Sequence, residues 1–172
     1  MTIRIVTDSA CDLPQYIVDQ YKISIVPLSV RFGEHEFIDR QDLTTEQFWK
    51  RCDSSPVLPE TAAPSPGQFE AEFRKLAAEG ATGIVMISLS GILSATMQSA
   101  ELAAKAVAGH ISVRVVDSRS GSMGQGITVI ACAKLAASGA SLDEVVATGE
   151  NLALRSKVWG ALDTLENLKK GG

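Results

Sequence analysis

The chain is poor in the residues that build metal and disulfide sites. It contains three cysteines and two histidines among 172 residues. Three cysteines far apart, at positions 11, 52 and 132, predict neither a disulfide framework nor a zinc knuckle and favour a reducing compartment. A metal hydrolase needs clustered histidines and carboxylates, whereas Asp8, Asp12 and Asp117 are scattered along the sequence. Asp8 and Asp117 lie near strand ends, where they are better explained as turn and cap formers through their own side-chain hydrogen bonds. We therefore expect no metal and no cofactor.

Basic clusters and long apolar runs are also missing. The net charge is −4 and no basic run exceeds two residues, which argues against a nucleic-acid-binding surface. The N-terminal segment passes from Thr2 through Val6 directly to Asp8, which leaves no room for the apolar core of a signal peptide. No apolar stretch approaches the length of a membrane span. These features predict a cytoplasmic protein.

The usual signatures of nucleotide and serine-hydrolase sites are absent as well. Gly121, Gly124 and Gly126 are not spaced as G-x-G-x-x-G, and close helix packing explains them better than a nucleotide does. Ser94 lies outside any G-x-S-x-G elbow, and both histidines, His35 and His110, are predicted in turns. A small-molecule α/β enzyme, either a hydrolase or a phosphotransferase, stays open as an alternative function.

The composition that is present is aliphatic. Hydrophobic residues make up 45% of the chain and aromatic residues only 5%, which suits helices laid on a parallel sheet. Strands alternate with helices along the sequence, and this order predicts a three-layer α/β/α domain with a mostly parallel sheet. The predicted strands cover 3–6, 23–26, 84–87, 112–116 and 158–162 with a hairpin at 28–38, and the predicted helices cover 14–21, 44–52, 67–79, 93–107, 127–137, 142–156 and 164–170.

The stretch from Gly83 to Val107 holds a strand, a hydroxyl-rich turn and a helix in succession. The apolar run 84–87 is typical of a parallel strand covered on both faces. From Leu93 onward, apolar residues recur at spacings of four, three, four and three, which predicts a helical stripe that faces the core. The turn between the two elements carries Ser88, Ser90, Gly91 and Ser94.

A helix start beside a group of hydroxyls suits an anionic ligand. The first turn of a helix has backbone N–H groups without intrahelical partners and carries the positive end of the helix dipole. A carboxylate or a phosphate is the natural guest, although simple capping by the serines explains the same residues equally well. The turns after Thr7, Ser88 and Asp117 are predicted to meet at one edge of the sheet, which favours the ligand interpretation.

Several short segments follow one another along the whole chain in a specific order. They are Val6-Thr7-Asp8-Ser9 with Asp12-Leu13-Pro14, Pro64-Ser65-Pro66-Gly67 with Phe69, Ile87-Ser88-Leu89-Ser90 leading to Leu93-Ser94-Ala95-Thr96-Met97-Gln98-Ser99-Ala100, Val116-Asp117-Ser118, and Asp163-Thr164-Leu165-Glu166 with Leu168-Lys169-Lys170-Gly171-Gly172. No single motif is decisive, but the ordered set is specific, and it resembles the DegV family.

The resemblance implies a bacterial fatty-acid-binding protein that does no chemistry itself. In the family, the acyl chain lies in a tunnel between two domains, and the carboxylate is presented to a separate ATP-binding fatty acid kinase subunit that makes the acyl phosphate. By position, Thr61 and Ser94 match the residues that hold the carboxylate, with Ala95 beside Ser94 where glycine is usual. The loop reads Thr61-Ala62-Ala63-Pro64 in place of Thr-Ser-Gln-Pro. The residues expected nearby are Ser90, Ser9 and Asp117.

Family members are much longer than this chain. Residues 1–157 are therefore expected to form a DegV-like first domain, and residues 158–172 the first strand and helix of a second domain, so that the chain is a fragment or a truncated product. Half of an apolar tunnel would then face water, and because exposed apolar patches tend to pair, a homodimer or a complementing segment is expected to cover it. A scaffold domain that retains no ligand is the remaining alternative.

Overall fold

The computed structural model describes residues 2–171 of the chain. Strands and helices alternate along most of it, as the sequence predicts. The strands are β1 (Ile3–Asp8), β2 (Ser24–Val26), β3 (Ser29–Phe32), β4 (His35–Ile38), β5 (Glu60–Ala62), β6 (Gly83–Ser88) and β7 (Val113–Asp117). The helices are α1 (Gln15–Tyr21), α2 (Thr45–Ser54), α3 (Pro66–Ala78), α4 (Thr96–Val107), α5 (Ser122–Ala137), α6 (Leu142–Arg155) and α7 (Glu166–Gly171), with a 3₁₀ turn at Ser9–Cys11.

The main sheet is parallel and is covered on both faces. Its strand order is β2-β1-β6-β7, with β1 and β6 in the centre. Successive residues of a strand point to opposite faces, so Ile5 and Val85 join the core under α1, α5 and α6. Val6 and Met86 join the core under α3 and α4. The predicted three-layer α/β/α architecture is confirmed.

A small antiparallel sheet, in the order β4-β3-β5, stands beside the main one. The predicted hairpin forms its first two strands. Strand β5 lies in the proline-rich segment that the sequence predicts as a loop, and it places Thr61 opposite Val30. Three residues give no alternating pattern, so β5 depends on pairing with β3 and has no sequence signal of its own. The ion pair between Arg31 and Glu60 joins the two strands beside Thr61.

The predicted start of the central helix is wrong. Helix α4 begins at Thr96, and Leu93 is 71% exposed instead of facing the core. The N–H groups of Leu93 and Ser94 both donate to the carbonyl of Ser90, at 2.9 and 3.1 Å, which closes a tight turn before the helix. The helical spacing of apolar residues therefore includes Leu93, although Leu93 belongs to this turn and not to the helix. Helix α5 also differs from the prediction, since it begins at Ser122 rather than at Ile127.

The strand predicted at 158–162 does not form. Within residues 2–171, no other strand pairs with this segment, and its Trp159 is 89% exposed. A strand needs a neighbour for its backbone hydrogen bonds, so apolar composition alone does not produce one here. The short helix predicted at 164–170 is present as α7.

We expect a Gly126→Ala substitution on α5 to destabilise the protein. A Cβ at this position would lie 2.6 Å from the carbonyl oxygen of Cys11 and 3.0 Å from Cδ2 of Leu13. Overpacking of this kind costs about 1–3 kcal/mol, which exceeds the helix-propensity gain of up to about 1 kcal/mol from replacing glycine. Urea unfolding should therefore show a lower free energy of unfolding. Gly109→Ala is the matched control, because nothing lies within 4 Å of its Cβ position; equal stability of the two variants would contradict the prediction.

Candidate functional site

Three turns meet at the carboxyl edge of the parallel sheet. Strands β1, β6 and β7 end there at Asp8, Ser88 and Asp117. The Ser118 N–H donates to the carbonyl of Ser88 at 3.0 Å, and the Ser90 N–H donates to the carbonyl of Ser120 at 2.8 Å. The predicted meeting of the turns is confirmed, and backbone hydrogen bonds hold two of them together.

Asp8, the last residue of β1, is fully buried. Its Oδ2 accepts the N–H of Leu89 at 2.8 Å, and its Oδ1 accepts the N–H of Ala10 at 3.1 Å. Burial raises the pKa of this carboxyl above its ordinary value, although the hydrogen bonds from Leu89, Gln125 and Ala10 act in the opposite direction. The sequence predicts Asp8 as a turn former, and these contacts confirm that role.

Gln125 is a buried polar residue that sequence reasoning missed. From α5 its Nε2 reaches Thr7 Oγ1 at 2.9 Å, Asp8 Oδ1 at 3.1 Å and the carbonyl of Ile87 at 3.3 Å. Thr7 in turn donates its hydroxyl to the carbonyl of Ile87 at 2.8 Å. In the sequence, Gln125 is a single glutamine just before the apolar helix predicted at 127–137. A glutamine on the protein surface would give the same pattern, so the sequence did not identify it as buried. Gln125 therefore ties α5 to the two central strands.

Asp117 and Ser90 shape the turns of which they are part. Asp117 Oδ1 accepts the N–H of Arg119 at 2.7 Å and that of Gly91 at 3.3 Å. Ser90 Oγ accepts the N–H of Ile92 at 3.3 Å. The predicted turn-forming role of Asp117 is thus confirmed, and its bond to Gly91 ties the β7 turn to the β6 turn.

Ser94 lies at the start of α4 and is half-buried. Its Oγ accepts the N–H of Thr96 at 3.2 Å and lies 2.9 Å from Thr96 Oγ1. Ala95 is the N-cap residue and has no side-chain acceptor to offer. The first turn of α4 is therefore capped from Ser94, one residue earlier. The arrangement leaves Ser94 with a hydroxyl partner that can act either as donor or as acceptor.

Thr61 lies on the small sheet and lines a cavity of about 680 Å³ together with Ser9, Arg40 and Trp49. Ser9 is buried, and its Oγ accepts the N–H of Leu28 at 3.1 Å. The predicted site residues thus fall into two groups, one around Thr61 and Ser9 and one around Ser90, Ser94 and Asp117. Within residues 2–171, no hydrogen bond joins Thr61 to Ser94.

The environments of Ser94, the two histidines and the two buried cysteines bear on the chemistry available to the site. The side-chain partner of Ser94 is the Thr96 hydroxyl, and His35 and His110 are both exposed. Burial raises the pKa of the Cys11 thiol to about 11 and that of Cys132 to about 12, so neither is a thiolate near neutral pH. No cluster of three potential metal ligands occurs in the part of the chain that the structure describes. The same residues include no helix with the length and apolar character needed to cross a membrane.

A three-layer α/β/α domain with a parallel sheet and hydroxyl-bearing turns at the carboxyl edge of that sheet defines the class of open-sheet α/β proteins. The model of the DegV family, described as an uncharacterised protein family, matches residues 2–172. This chain belongs to the DegV family.

Relatives among curated proteins carry the same domain name. A DegV domain-containing protein of Clostridium acetobutylicum is 31% identical over 172 residues, which are 99% of this chain and 60% of that protein. One from Streptomyces coelicolor is 33% identical over 171 residues, covering 99% of this chain and 59% of that protein. The chain therefore spans about three fifths of the length of these relatives.

Solved structures show the same fold. A DegV family protein from Thermus thermophilus, described by its fatty acid binding, matches with a TM-score of 0.81 and 36% identity over 90% of this chain and 54% of that one. DegV from Bacillus subtilis, described as a fatty acid binding protein, matches with a TM-score of 0.84 and 28% identity over 90% of this chain and 54% of that one. The two share the fold with this chain over nearly all of its length.

The raised pKa of Asp8 makes the effect of an Asp8→Asn substitution depend on pH. Because the folded-state pKa lies above the ordinary value of 3.8, this carboxyl favours folding most below pH 3.8 and less as pH rises toward the folded-state pKa. We expect the wild-type chain to lose stability relative to Asp8→Asn as pH rises through this window. Urea unfolding of both proteins between pH 3.5 and 7 measures the difference, to which the other carboxyls contribute equally. A difference that is constant, or that grows in favour of the wild type, would show that the pKa is not raised.

Proposed function

We propose that this chain binds a long-chain fatty acid. The observation that carries the proposal is the match to the fatty-acid-binding DegV protein from Thermus thermophilus, at 36% identity over 90% of the chain. The residues at the edge of the sheet support it, because hydroxyls and a helix start are suited to a carboxylate. The proposed head-group residues are Thr61, Ser94 and Ala95, with Ser90, Ser9 and Asp117 around them.

The hydroxyl pair of Ser94 and Thr96 is suited to an oxygen anion. Either atom of the pair can be the donor across their 2.9 Å contact. When a carboxylate accepts the proton of Ser94, Thr96 can turn and donate to Ser94, so that each hydroxyl polarises the next. Thr61 is exposed toward its cavity, and its hydroxyl offers a second donor. Ala95 brings a methyl group to the turn but no donor.

The apolar part of a fatty acid also finds matching residues near Ser94. Ile92 is 94% exposed and Leu93 is 71% exposed, and both precede Ser94 in the same turn. Met123 and Ile127 are exposed one turn apart on α5, whose N-terminal loop is joined to the β6 turn through Ser90 and Ser120. An acyl chain lying over such residues would remove apolar surface from water, and each Å² of apolar surface buried in this way favours binding by about 25 cal/mol.

We further propose that the bound carboxylate is presented to a separate ATP-dependent kinase subunit, which forms the acyl phosphate, and that the chain itself is not an enzyme. This role follows the DegV resemblance of the ordered motifs. We propose that the protein works in a reducing cytoplasm, which agrees with the free thiols of Cys11, Cys52 and Cys132. The proposal keeps residues 1–157 as one domain and assigns residues 158–172 to the beginning of a second.

Native mass spectrometry of the purified chain tests the binding step. We expect a non-covalent mass increment equal to that of a long-chain fatty acid. We also expect dimers, because Val158, Trp159, Leu162, Leu165 and Leu168 expose apolar side chains near the C-terminus. The control is the same sample after delipidation and re-addition of either a fatty acid or the matching alkane. Binding of neither, or of both equally, would contradict a carboxylate-dependent site, and a monomer at all concentrations would contradict the dimer.

Removing either proposed head-group hydroxyl should weaken binding without unfolding the domain. Ser94→Ala and Thr61→Ala each remove one hydrogen bond to a charged group, which is worth about 1.5–3 kcal/mol. Trp49 lines the cavity of Thr61, so its fluorescence reports binding in a Trp159→Phe background, in which it is the sole remaining tryptophan of the two in the chain.

The matched control for these two variants is Ser138→Ala, which removes an exposed hydroxyl at the end of α5. Circular dichroism checks that each variant is folded. Unchanged affinity in both Ser94→Ala and Thr61→Ala would refute the site assignment while leaving fatty-acid binding itself to the mass measurement.

A further inference from the structure

The buried carboxylate of Asp8 contacts the two turns that carry the two groups of proposed site residues. Its Oδ2 accepts the N–H of Leu89, the first residue of the turn that leads to Ser94. Its Oδ1 accepts the N–H of Ala10, which follows Ser9 in the turn beside the Thr61 cavity. A buried carboxylate is costly unless its oxygens are hydrogen-bonded. The arrangement therefore holds these two turns at a fixed separation.

Gln125 fixes the orientation of this carboxylate. Its Nε2 donates toward Asp8 Oδ1, Thr7 Oγ1 and the carbonyl of Ile87. The Thr7 hydroxyl already donates to Ile87, so these three atoms all act as acceptors and the amide nitrogen must face them. Gln125 Oε1 is buried without a protein partner among residues 2–171. The orientation of the Gln125 amide is thus set by the three contacts of its Nε2 and not by a contact of its Oε1.

We propose that Asp8 is a positioning residue for the fatty-acid carboxylate, which it serves by holding the Leu89–Ser94 turn against the Ser9 turn. This inference rests on the proposed function. The remaining ties of the turn run to the other side, from Ser90 to Ser120 and from Gly91 to Asp117. Among residues 2–171, the Asp8 side chain is the one that connects the turn to β1. Without it, the buried N–H of Leu89 loses its acceptor, and the turn must move to find another.

Two substitutions separate positioning from bulk stability. Asp8→Ala removes every acceptor, whereas Asp8→Asn keeps one oxygen that can accept the Leu89 N–H. Fatty-acid affinity is measured well below the melting temperature of each variant. We expect Asp8→Ala to bind about tenfold more weakly, because the displaced turn no longer holds Ser94 in place for its hydrogen bond to the charged carboxylate of the ligand. Asp8→Asn should stay within about threefold of the wild type. Asp143→Ala is the matched control, since its side chain is 89% exposed.

Backbone amide NMR spectra of the ligand-free chain give the second readout. We expect shifts for Leu89 to Ser94 in both variants, with those in Asp8→Ala the larger. If Asp8→Ala does not fold, Asp8→Asn serves alone, and its turn amides should then move together with a measurable loss of affinity of up to about threefold; moved amides with wild-type affinity would overturn the inference. Wild-type affinity in folded Asp8→Ala, equal losses in the two variants, or unmoved turn amides would each overturn the inference.

The two proposals fail in different ways. If the wild-type chain binds no fatty acid in the same titration, the proposed function fails, and the turn amides alone decide whether Asp8 holds the turn. If the wild-type chain binds and Asp8→Ala binds equally well, only the positioning role fails.

Discussion

The carboxyl edge of the sheet depends on keeping one buried carboxylate fully hydrogen-bonded. Asp8 ends the central strand β1 in a fully buried position, where an unpaired charge would cost several kcal/mol. The chain meets this demand with backbone N–H groups from two turns and an amide from α5. The ends of β1, β6 and α5 therefore cannot move independently, and the turns that carry the proposed ligand contacts inherit this rigidity.

Every buried polar group needs a hydrogen-bond partner, and this explains why many hydroxyls at this edge of the sheet are not free to bind a ligand. Ser88 donates to the carbonyl of Leu89, and Ser118 donates to that of Ser120. Both serines are fully buried. Their hydroxyls satisfy the backbone inside tight turns, which is a common use of serine in such places. Ser94 and Thr61 differ from them because each has access to solvent, and this difference, rather than hydroxyl content, separates the proposed contacts from the turn formers.

The sequence predicts those features that arise from local chemistry. The strand predicted from the apolar run 84–87 and the helix predicted over 142–156 are both found, as β6 and α6, because each depends on neighbours in the chain. Strand β5 could not be predicted, since its three residues become a strand only by pairing with β3. The helical spacing that begins at Leu93 was misleading, because the carbonyl of Ser90 closes a separate turn with the N–H groups of Leu93 and Ser94, and α4 begins only at Thr96.

The candidate site follows the same division. Turn formation by Asp8 and Asp117 is local and was predictable, whereas the contact from Gln125 joins positions 117 residues apart in sequence and was not. That Thr61 and Ser94 both contact one ligand stays a prediction, which depends on how the small sheet is fastened to the main domain.

Thr61 lies on the small sheet, whereas Ser94 lies in the turn that follows β6 of the main sheet. The separation of these two proposed head-group residues therefore depends on the contacts between the two sheets. Leu28, just before β3, donates its N–H to Ser9 Oγ at 3.1 Å. Arg40, after β4, donates to the carbonyl of Leu13 at 2.8 Å. Both contacts end on the segment that directly follows Asp8. A ligand held by Thr61 and Ser94 together would add a further link between the sheets, and it would bind most tightly where those sheets are already fixed at the right distance. The segment from Asp8 to Leu13 thus contacts both the main sheet and the small sheet, and it helps to set the distance between the two proposed contacts of the carboxylate.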